Sequence, residues 1–363
     1  MVPFQEHLPE AGPPRECLAD LGEWELIRRL SAFAPAGQFN DDAALLAVAP
    51  RSASSPVRAA DGAGPGSVDA AVSLVVNTDV LVEGLHFSDR TTAAADVGWR
   101  AAAANLSDLA AMGATEVLGI TVGLVAPAQT TWSWVEGVYQ GLSEALQHHG
   151  GVLLGGDCSG GAQRLLAITA LGRLPAGGGA IRRRDGRPGD QLICTGPHGL
   201  SRLGLALLQG SLAGLDPALS RRAIAAHQRP VPRFDAVRAL IASQPTTVPW
   251  RVGGCDSSDG LAAAAAAIAA ASDCAAQLDR QHLPLDAAMA TLPEAEAWCL
   301  GGGEDFELVL ALEPSWAQAL QAALPGSQRI GELVAGAAGA LHWSSGEPWP
   351  EPLGGAGGYR HFG

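Results

Sequence analysis

The feature that most constrains this 363-residue chain is the alternation of strand-like and helix-like segments along most of its length. Short apolar runs are followed by longer stretches in which apolar residues recur every three or four positions. This pattern predicts a mixed α/β or α+β fold and argues against a helical bundle or an all-β sandwich. The Gly-rich run at 175–179 interrupts the pattern, and we expect a domain boundary there.

We predict two domains, separated by this boundary, and two flexible segments. The N-terminal domain is expected at 21–175 and a C-terminal α/β domain at 180–363. Residues 1–20 lack apolar periodicity and are expected to be flexible. Residues 50–70 are small, polar and rich in Gly and Pro, so we expect a flexible insertion that cannot contribute to a core.

Composition argues against several classes of protein. The net charge is −14, and the chain has no long Lys/Arg run beyond 182–184, which argues against a nucleic-acid partner. The six Cys form no CxxC pair, so neither a zinc site nor a disulfide framework is indicated. No secretory signal and no apolar stretch long enough to span a bilayer is seen, so we expect a cytoplasmic protein without membrane contact.

Small acidic segments recur along the chain, each beside Gly, Ser, Thr or Asn. They are NDD at 40–42, NTD at 77–79, NLSD at 105–108, GGD at 155–157, DSSDG at 256–260 and GGED at 302–305. None is accompanied by Lys. Mg²⁺ prefers carboxylate and water oxygens and usually bridges them to substrate phosphates. The set therefore points to metal-assisted phosphoryl transfer.

Each acidic segment, considered by itself, could also be an ordinary turn or helix cap, and this alternative stays open for every one of them. Asn105 and Asp108 share a helix face, where a buried carboxylate would need a cation or strong donors. Ser257 and Ser258 are expected to cap a helix over 258–272, whose N-terminus can receive an anion. The chain has neither GxGxxG nor GxxxxGK[ST], which argues against a dinucleotide dehydrogenase and a P-loop ATPase.

Seven segments, in order, resemble the thiamine-monophosphate kinase family, which belongs to the superfamily of aminoimidazole ribonucleotide synthetase and selenophosphate synthetase. They are NDDAALL, NTDVLVEGLHF, NLSDLAAMGA, GGD, SSDGL, GGEDFEL and GYRHF, within a match from about Gly22 to Phe362. The resemblance implies an N-terminal ferredoxin-like sheet domain that binds ATP and Mg²⁺ and pairs in a homodimer, followed by a C-terminal α/β domain. It also implies ATP-dependent phosphorylation of thiamine monophosphate to thiamine diphosphate with several Mg²⁺ ions.

The resemblance carries site residues with it. The implied metal ligands are Asp42, Asn77, Thr78, Asp79, Asp108, Asp157, Asp256 and Asp259. The implied nucleotide contacts are Gly156, Asp157, Arg183 and Ser258, and the implied contacts to thiamine monophosphate are His86, Glu304 and Tyr359. Two positions depart from the family pattern, because Asn40 stands where the family usually has Gly and Asn77 where it usually has Ser.

The chemistry of such an acceptor needs no general base. Its phosphate monoester is already ionised at neutral pH, so catalysis would consist of positioning and charge neutralisation during direct in-line transfer, with no catalytic side chain expected. Two alternatives stay open. One is another ATP-using enzyme of the superfamily, although Cys17 lacks the Gly-rich, Lys-bearing loop typical of selenophosphate synthetase. The other is a non-catalytic regulator that binds nucleotide or metal.

Overall fold

A computed structural model of the chain describes residues 18–48, 72–176 and 178–350. The predicted insertion at 50–70 and the predicted substrate contact Tyr359 lie outside these ranges, as does most of the segment 1–20. The expectations for them therefore stay predictions.

The first half alternates strands and helices, as the sequence pattern predicts. Its elements are α1 (Leu18–Leu30), β1 (Ala44–Val48), β2 (Val72–Val82), α2 (Ala94–Ala111), β3 (Glu116–Ala126), α3 (Trp132–His149), β4 (Val152–Gly160) and β5 (Leu165–Arg173). Helix α1 begins inside the segment expected to be flexible. Strand β4 continues through the GGD segment, because β3 pairs with it in parallel as far as Gly160.

The second half contains more elements than its sequence pattern indicates. They are β6 (Gln191–Cys194), α4 (Leu200–Leu208), α5 (Pro217–Gln228), α6 (Phe234–Ala242), β7 (Gly253–Asp256), α7 (Leu261–Ala271), β8 (Ala275–Leu278), α8 (Ala295–Gly301), β9 (Leu308–Leu312), α9 (Pro314–Ala323), β10 (Gln328–Val334) and β11 (Leu341–Trp343). Strands β7 and β8 are not predicted, since GGCD and AAQL lack the β-branched and aromatic residues that favour strands. Pairing with β9 and β10 stabilises them instead.

The first sheet has the order β1-β2-β5-β3-β4. All its neighbours are antiparallel except β3 and β4. Helices α2 and α3 contact each other closely. A Cβ at Gly98 would lie 1.9 Å from the carbonyl oxygen of Val138, and a Cβ at Gly141 would lie 1.8 Å from that of Ala95. The two glycines therefore allow a helix contact that a larger residue would prevent.

The second sheet has the order β11-β8-β10-β6-β9-β7. Strand β9 is buried along its whole length, and the Ala-rich α7 contacts it together with β7 and β8. This half therefore has its own apolar layer between sheet and helix, in agreement with the predicted mixed α/β class.

Helix α2 lies between the two halves, and 14 of its 18 residues are buried. It contacts β2, β5 and α3 on one side and β7, α5 and α6 on the other. Leu106 of α2 shares an apolar cluster with Ile181 and Trp316 of the second half. The polar residues of α2 are therefore fixed inside the protein. Across the described ranges, no helix combines the length and apolarity needed to cross a membrane.

Candidate functional site

Four carboxylates from four separate elements meet between the two halves. Asp108 lies on α2, Asp79 on β2, Asp42 just before β1 and Asp256 at the end of β7. Burial, followed by the negative charges of Asp79, Asp256 and Asp42, holds the pKa of Asp108 well above its ordinary value. The chain has thus concentrated negative charge in a place where water screens it poorly. We call these four residues the carboxylate cluster.

Hydrogen bonds between β2 and α2 fix one side of the cluster. Nδ2 of Asn77 donates to Oδ2 of Asp108 at 2.7 Å and to Oδ1 of Asn105 at 3.2 Å. The backbone N–H of Asp79 also donates to Oδ1 of Asn105, at 3.0 Å. Asn77 and Asp79 are two apart on a strand and therefore share a face, while Asn105 and Asp108 share a helix face. The spacing read from the sequence thus brings these four residues together.

The amide oxygen of Asn77 is well suited to a cation. Its Oδ1 is buried and has no hydrogen-bond partner in the described structure, whereas its Nδ2 already has two acceptors. A buried acceptor left unpaired costs about 1–3 kcal/mol, which a bound cation would offset. Carboxylate and amide oxygens are the ligands that Mg²⁺ prefers, so the chemistry of this donor set fits the metal that the resemblance implies.

The cluster is not by itself a complete metal-binding cage. Within residues 18–48, 72–176 and 178–350, no three His, Cys, Asp or Glu side chains form a ready metal-binding group. Mg²⁺ commonly keeps several waters and is held by one or two carboxylates together with substrate phosphates. The arrangement is therefore suited to a metal that binds together with a phosphorylated substrate.

Arg183 holds the other side of the cluster. Its guanidinium forms an ion pair with the buried carboxylate of Asp42, and its backbone N–H donates to Oδ1 of Asp41 at 2.9 Å. The second oxygen of Asp42 accepts a hydrogen bond from the backbone N–H of Asp256 at 3.2 Å. Burial nevertheless raises the pKa of Asp42 to about 6, with Arg183 opposing and Asp256 reinforcing the rise. A guanidinium is thus present beside the carboxylates, where it could meet a phosphate.

The DSSDG segment is arranged differently from the expectation. Asp256 accepts hydrogen bonds from Oγ of Ser107 at 2.6 Å and from Oγ of Ser258 at 3.0 Å, while Oγ of Ser257 pairs with Nε2 of His198 at 2.8 Å. Neither serine caps α7, because that helix begins only at Leu261 and its N-cap residue is Gly260. The prediction of serine caps was therefore wrong, since both hydroxyls have other partners. Ser258 and Asp259 are exposed at the rim.

Three of the expected site residues lie away from the cluster in this chain. Thr78 alternates with Asn77 and Asp79, and its hydroxyl contacts that of Thr169 on the opposite face. Gly156 is in register with Asp79 across β5 and β3, which corresponds to three strand spacings of about 4.8 Å. Strand alternation turns Asp157 to the face opposite Asp79. The described chain alone therefore does not bring the GGD segment to the carboxylate cluster.

His86 follows β2 in a short turn. Its Nδ1 accepts a hydrogen bond from the backbone N–H of Val82 at 2.9 Å, and its backbone N–H donates to the carbonyl oxygen of Val82 at the same distance. The ring is half-buried. These bonds fix the ring at the end of β2, seven positions beyond Asp79.

The GGED loop has an unusual backbone. Glu304 and Phe306 have φ angles of +57° and +52°, which side-chain-bearing residues rarely adopt. The N–H of Glu304 donates to the carbonyl oxygen of Ser258 at 2.7 Å, so this loop lies against the DSSDG segment. Asp305 accepts hydrogen bonds from the N–H groups of Gly199 and Ser201, at 2.7 and 3.0 Å. Strained backbone held in this way is common at functional sites.

Sequence reasoning missed the partner of Glu304. Arg100 of α2 is 3% exposed, and its Nη2 donates to Oε1 of Glu304 at 2.5 Å. Its Nη1 contacts Nε2 of His227 at 2.8 Å. A lone Arg in an Ala-rich, apolar helix is a usable signal, because a guanidinium that becomes buried with the helix needs an acidic partner. Which acid it meets, 204 positions away, is a property of the tertiary structure.

Comparison with known proteins identifies the family of this chain. The family model described as AIR synthase related protein, N-terminal domain, matches residues 40–174, and the corresponding C-terminal domain model matches residues 187–344. A thiamine-monophosphate kinase of Prochlorococcus marinus is 44% identical over 337 residues, which are 92% of this chain and 94% of that protein. A thiamine-monophosphate kinase of Synechococcus elongatus is 46% identical over 318 residues, 87% of this chain and 90% of that protein.

A solved structure has a similar fold. It is AaThiL complexed with AMPPCP and TMP, which matches with a TM-score of 0.75 at 24% sequence identity. The match covers 96% of this chain and 99% of that one. At this identity the likeness supports the fold.

Proposed function

This chain belongs to the thiamine-monophosphate kinase family of AIR synthase-related proteins, and we infer that it transfers the γ-phosphoryl group of ATP to thiamine monophosphate. The products are ADP and thiamine diphosphate, so the reaction is a step in thiamine diphosphate biosynthesis. Curated relatives with this activity in their name are 44% and 46% identical over almost their whole length. The related AaThiL has been solved with AMPPCP, an ATP analogue, and TMP.

The observation that carries the proposal is the carboxylate cluster beside the unpaired Oδ1 of Asn77. Two polyanions must approach each other on a protein of net charge −14, and that approach requires cations between them. We propose that Asp42, Asn77, Asp79, Asp108 and Asp256 hold Mg²⁺ ions, with Thr78, Asp157 and Asp259 as the further ligands that the resemblance implies. Bound Mg²⁺ would neutralise phosphate charge during the transfer.

We further propose that the nucleotide lies along Gly156, Asp157, Arg183 and Ser258. Arg183 supports this role because its guanidinium already lies against Asp42. Ser258 supports it because its exposed position adjoins Asp256, through the bond from its hydroxyl. These residues would bind and orient the phosphates, and none of them would need to take up a proton.

The acceptor site is proposed at Glu304 and His86, together with Tyr359, which lies outside the described residues. Thiamine monophosphate carries an aminopyrimidine that can donate a hydrogen bond and a cationic thiazolium that can contact an aromatic face. The carboxylate of Glu304 could accept the hydrogen bond. Because the acceptor phosphate is already ionised, the site has to hold it in line with the γ-phosphate and to exclude water.

We also propose that the enzyme works as a cytoplasmic homodimer. Every residue of β4 is exposed, including Val152, Leu153 and Leu154. An exposed apolar edge strand is a ready surface for pairing with another sheet. A partner chain that covers β4 would also surround Gly156 and Asp157, which lie far from the cluster within one chain.

Turnover with different substrates tests the proposal against its alternatives. Purified protein with ATP and Mg²⁺ should form thiamine diphosphate from thiamine monophosphate and should not act on the substrate of aminoimidazole ribonucleotide synthetase or on that of selenophosphate synthetase. Activity on either of those substrates would identify another member of the superfamily. Nucleotide binding without turnover of any of the three would identify a regulator.

A further inference from the structure

The carboxylate of Glu304 is oriented by a buried group that has no role in the chemistry described above. Oε1 of Glu304 accepts a hydrogen bond from Nη2 of Arg100, while the Glu304 side chain remains 35% exposed. Arg100 is almost completely buried, so its positive charge needs an acidic partner, and Glu304 supplies it. One carboxylate oxygen is thus committed to the protein, and the other remains available to a ligand.

His227 fixes the orientation of Arg100. Burial, followed by the charges of Arg100 and Arg202, lowers the pKa of His227 to about 3, so the ring is neutral at physiological pH. A guanidinium can only donate, so Nε2 of His227 is the acceptor of its bond with Arg100 and the ring proton lies on Nδ1. Nδ1 of His227 lies 3.2 Å from Oγ of Ser201 and can donate this proton to it. The same Nδ1 lies 3.7 Å from Oε2 of Glu304.

The backbone of Glu304 allows the carboxylate little freedom. Its N–H is bound to the carbonyl oxygen of Ser258, and the next residue, Asp305, is bound to the N–H groups of Gly199 and Ser201. With the main chain held on both sides, the contact with Arg100 decides where the carboxylate points. A side chain fixed in this way meets a ligand without a further loss of rotamer entropy.

Helix α2 connects this contact with the carboxylate cluster. Arg100 and Asp108 are eight positions apart on one helix, which corresponds to about 12 Å along its axis. Both belong to this helix, Arg100 buried and Asp108 half-buried. The helix therefore sets the distance between the oriented Glu304 and the proposed metal site, and in-line transfer depends on that distance.

We propose that Arg100, oriented by His227, is a positioning residue that holds Glu304 so that its free oxygen accepts a hydrogen bond from the aminopyrimidine of the acceptor. This inference rests on the proposed function. The positive charge of Arg100 balances the negative charge of Glu304. The carboxylate therefore recognises the amino group of the aminopyrimidine mainly as a hydrogen-bond donor, and its attraction to the thiazolium charge is secondary. Arg100 acts only through Glu304 and touches no substrate.

The test compares Arg100→Gln and Arg100→Lys in the wild-type protein and Arg100→Gln in the Glu304→Gln background. Arg100→Gln should raise the KM and the Kd for thiamine monophosphate about tenfold and change the KM for ATP by less than about twofold. Arg100→Lys should lose less affinity for thiamine monophosphate than Arg100→Gln. The ammonium keeps the positive charge but cannot contact Glu304 and His227 at once in the geometry of the guanidinium. In the Glu304→Gln background, Arg100→Gln should raise the KM and the Kd for thiamine monophosphate by less than about a further twofold. Arg100 acts on the ligand only through the Glu304 carboxylate, which that background lacks.

The exposed Arg173→Gln serves as a matched control, because Arg173 pairs with Glu116 at the surface, and it should leave both constants unchanged. An unchanged KM and Kd for thiamine monophosphate in Arg100→Gln, with a lower melting temperature, would overturn the inference. Additive effects of Arg100→Gln and Glu304→Gln would overturn it too. Wild-type protein that binds thiamine monophosphate without phosphorylating it would contradict the proposed function alone, and wild-type protein that does not bind it would contradict both.

Discussion

The hydroxyl of Ser107 donates a hydrogen bond to Oδ2 of Asp256 at 2.6 Å, although 149 positions separate the two residues. Ser107 belongs to α2 of the first half and Asp256 to β7 of the second. The next residue of α2, Asp108, belongs to the same carboxylate cluster. Both halves therefore contribute residues to the site, and the packing of α2 against both halves fixes their relative position.

Asp108→Asn separates activity from stability. The variant keeps an acceptor for Nδ2 of Asn77 but removes a half-buried negative charge that three neighbouring carboxylates oppose. We expect turnover to fall at least about 100-fold, because charge neutralisation by Mg²⁺ is lost. Without divalent cations the melting temperature should rise by a few degrees, and Mg²⁺ should stabilise the variant less than the wild type. Glu116→Gln is the surface control, and near-wild-type turnover of Asp108→Asn at limiting Mg²⁺ would refute a metal role for the cluster.

Buried His198 should make a contribution to the stability of the protein that is lost as the pH drops below neutrality. Burial lowers its pKa from 6.5 to about 4, against the opposing bond to the carbonyl oxygen of Gly196. Between these values the unfolded chain binds a proton that the folded chain does not, so stability is present above pH 6.5 and is lost towards pH 4. The difference corresponds to at most about 3 kcal/mol.

Urea unfolding of wild type and His198→Gln at pH 7 and pH 5 measures this contribution. The variant should be less stable than wild type at pH 7, and this difference should be smaller at pH 5. The carboxylates that titrate in the same range contribute to both proteins, so the comparison cancels their effect. The exposed His342→Gln should behave as wild type. A difference in the free energy of unfolding between wild type and His198→Gln that is the same at both pH values would show that His198 makes no such contribution.

Gly141→Ala should destabilise the contact between α2 and α3. Its new Cβ would lie 1.8 Å from the carbonyl oxygen of Ala95, so one helix must move. Overpacking of this kind costs about 1–3 kcal/mol or more, and thermal unfolding should show a drop of several degrees. Gly123→Ala is the control, because a Cβ there would lie 3.5 Å from its nearest neighbour, the Cβ of Ala167, which is ordinary van der Waals contact. A melting temperature within one degree of wild type for Gly141→Ala would contradict a close contact between α2 and α3 at this position.

Leu153→Lys should convert the proposed homodimer to a monomer. Leu153 is 45% exposed on the edge strand β4, and a partner sheet would bury it against apolar residues, where an unpaired ammonium is costly. Light scattering after gel filtration measures the mass directly. Val231→Lys, at a site of similar exposure in the second half, should leave the dimer intact. A wild-type protein that is monomeric at micromolar concentration would contradict the proposal itself.

The sequence predicts α2 and the face it presents with good accuracy. The high Ala content of residues 93–112 and the glycine that follows them predict a helix, and α2 spans Ala94–Ala111, with Gly113 at φ +85° after its end. Asn105 and Asp108 meet β2 as their three-residue spacing predicts. Local propensity and tertiary packing agree in this part of the chain, which is why the pattern can be read directly.

Other features depend on contacts that no local pattern encodes. Strand β7 is a GGCD segment that is extended because β9 pairs with it. The hydroxyls of Ser257 and Ser258 are available to cap a helix in the sequence, but His198 and Asp256 bind them in the structure. The pairing of Arg100 with Glu304 likewise requires both halves to be in place.

Transfer of labelled phosphate tests the central claim most directly. The protein is incubated with γ-³²P-ATP, thiamine monophosphate and Mg²⁺, and the label is followed in thiamine diphosphate, in inorganic phosphate and on the protein. We predict label in thiamine diphosphate in equal amount to the ADP formed, dependence on Mg²⁺, none on the protein, and almost none in thiamine diphosphate when Asp108→Asn replaces the wild type. Label that appears only in inorganic phosphate, or on the protein itself, would contradict direct transfer at the carboxylate cluster.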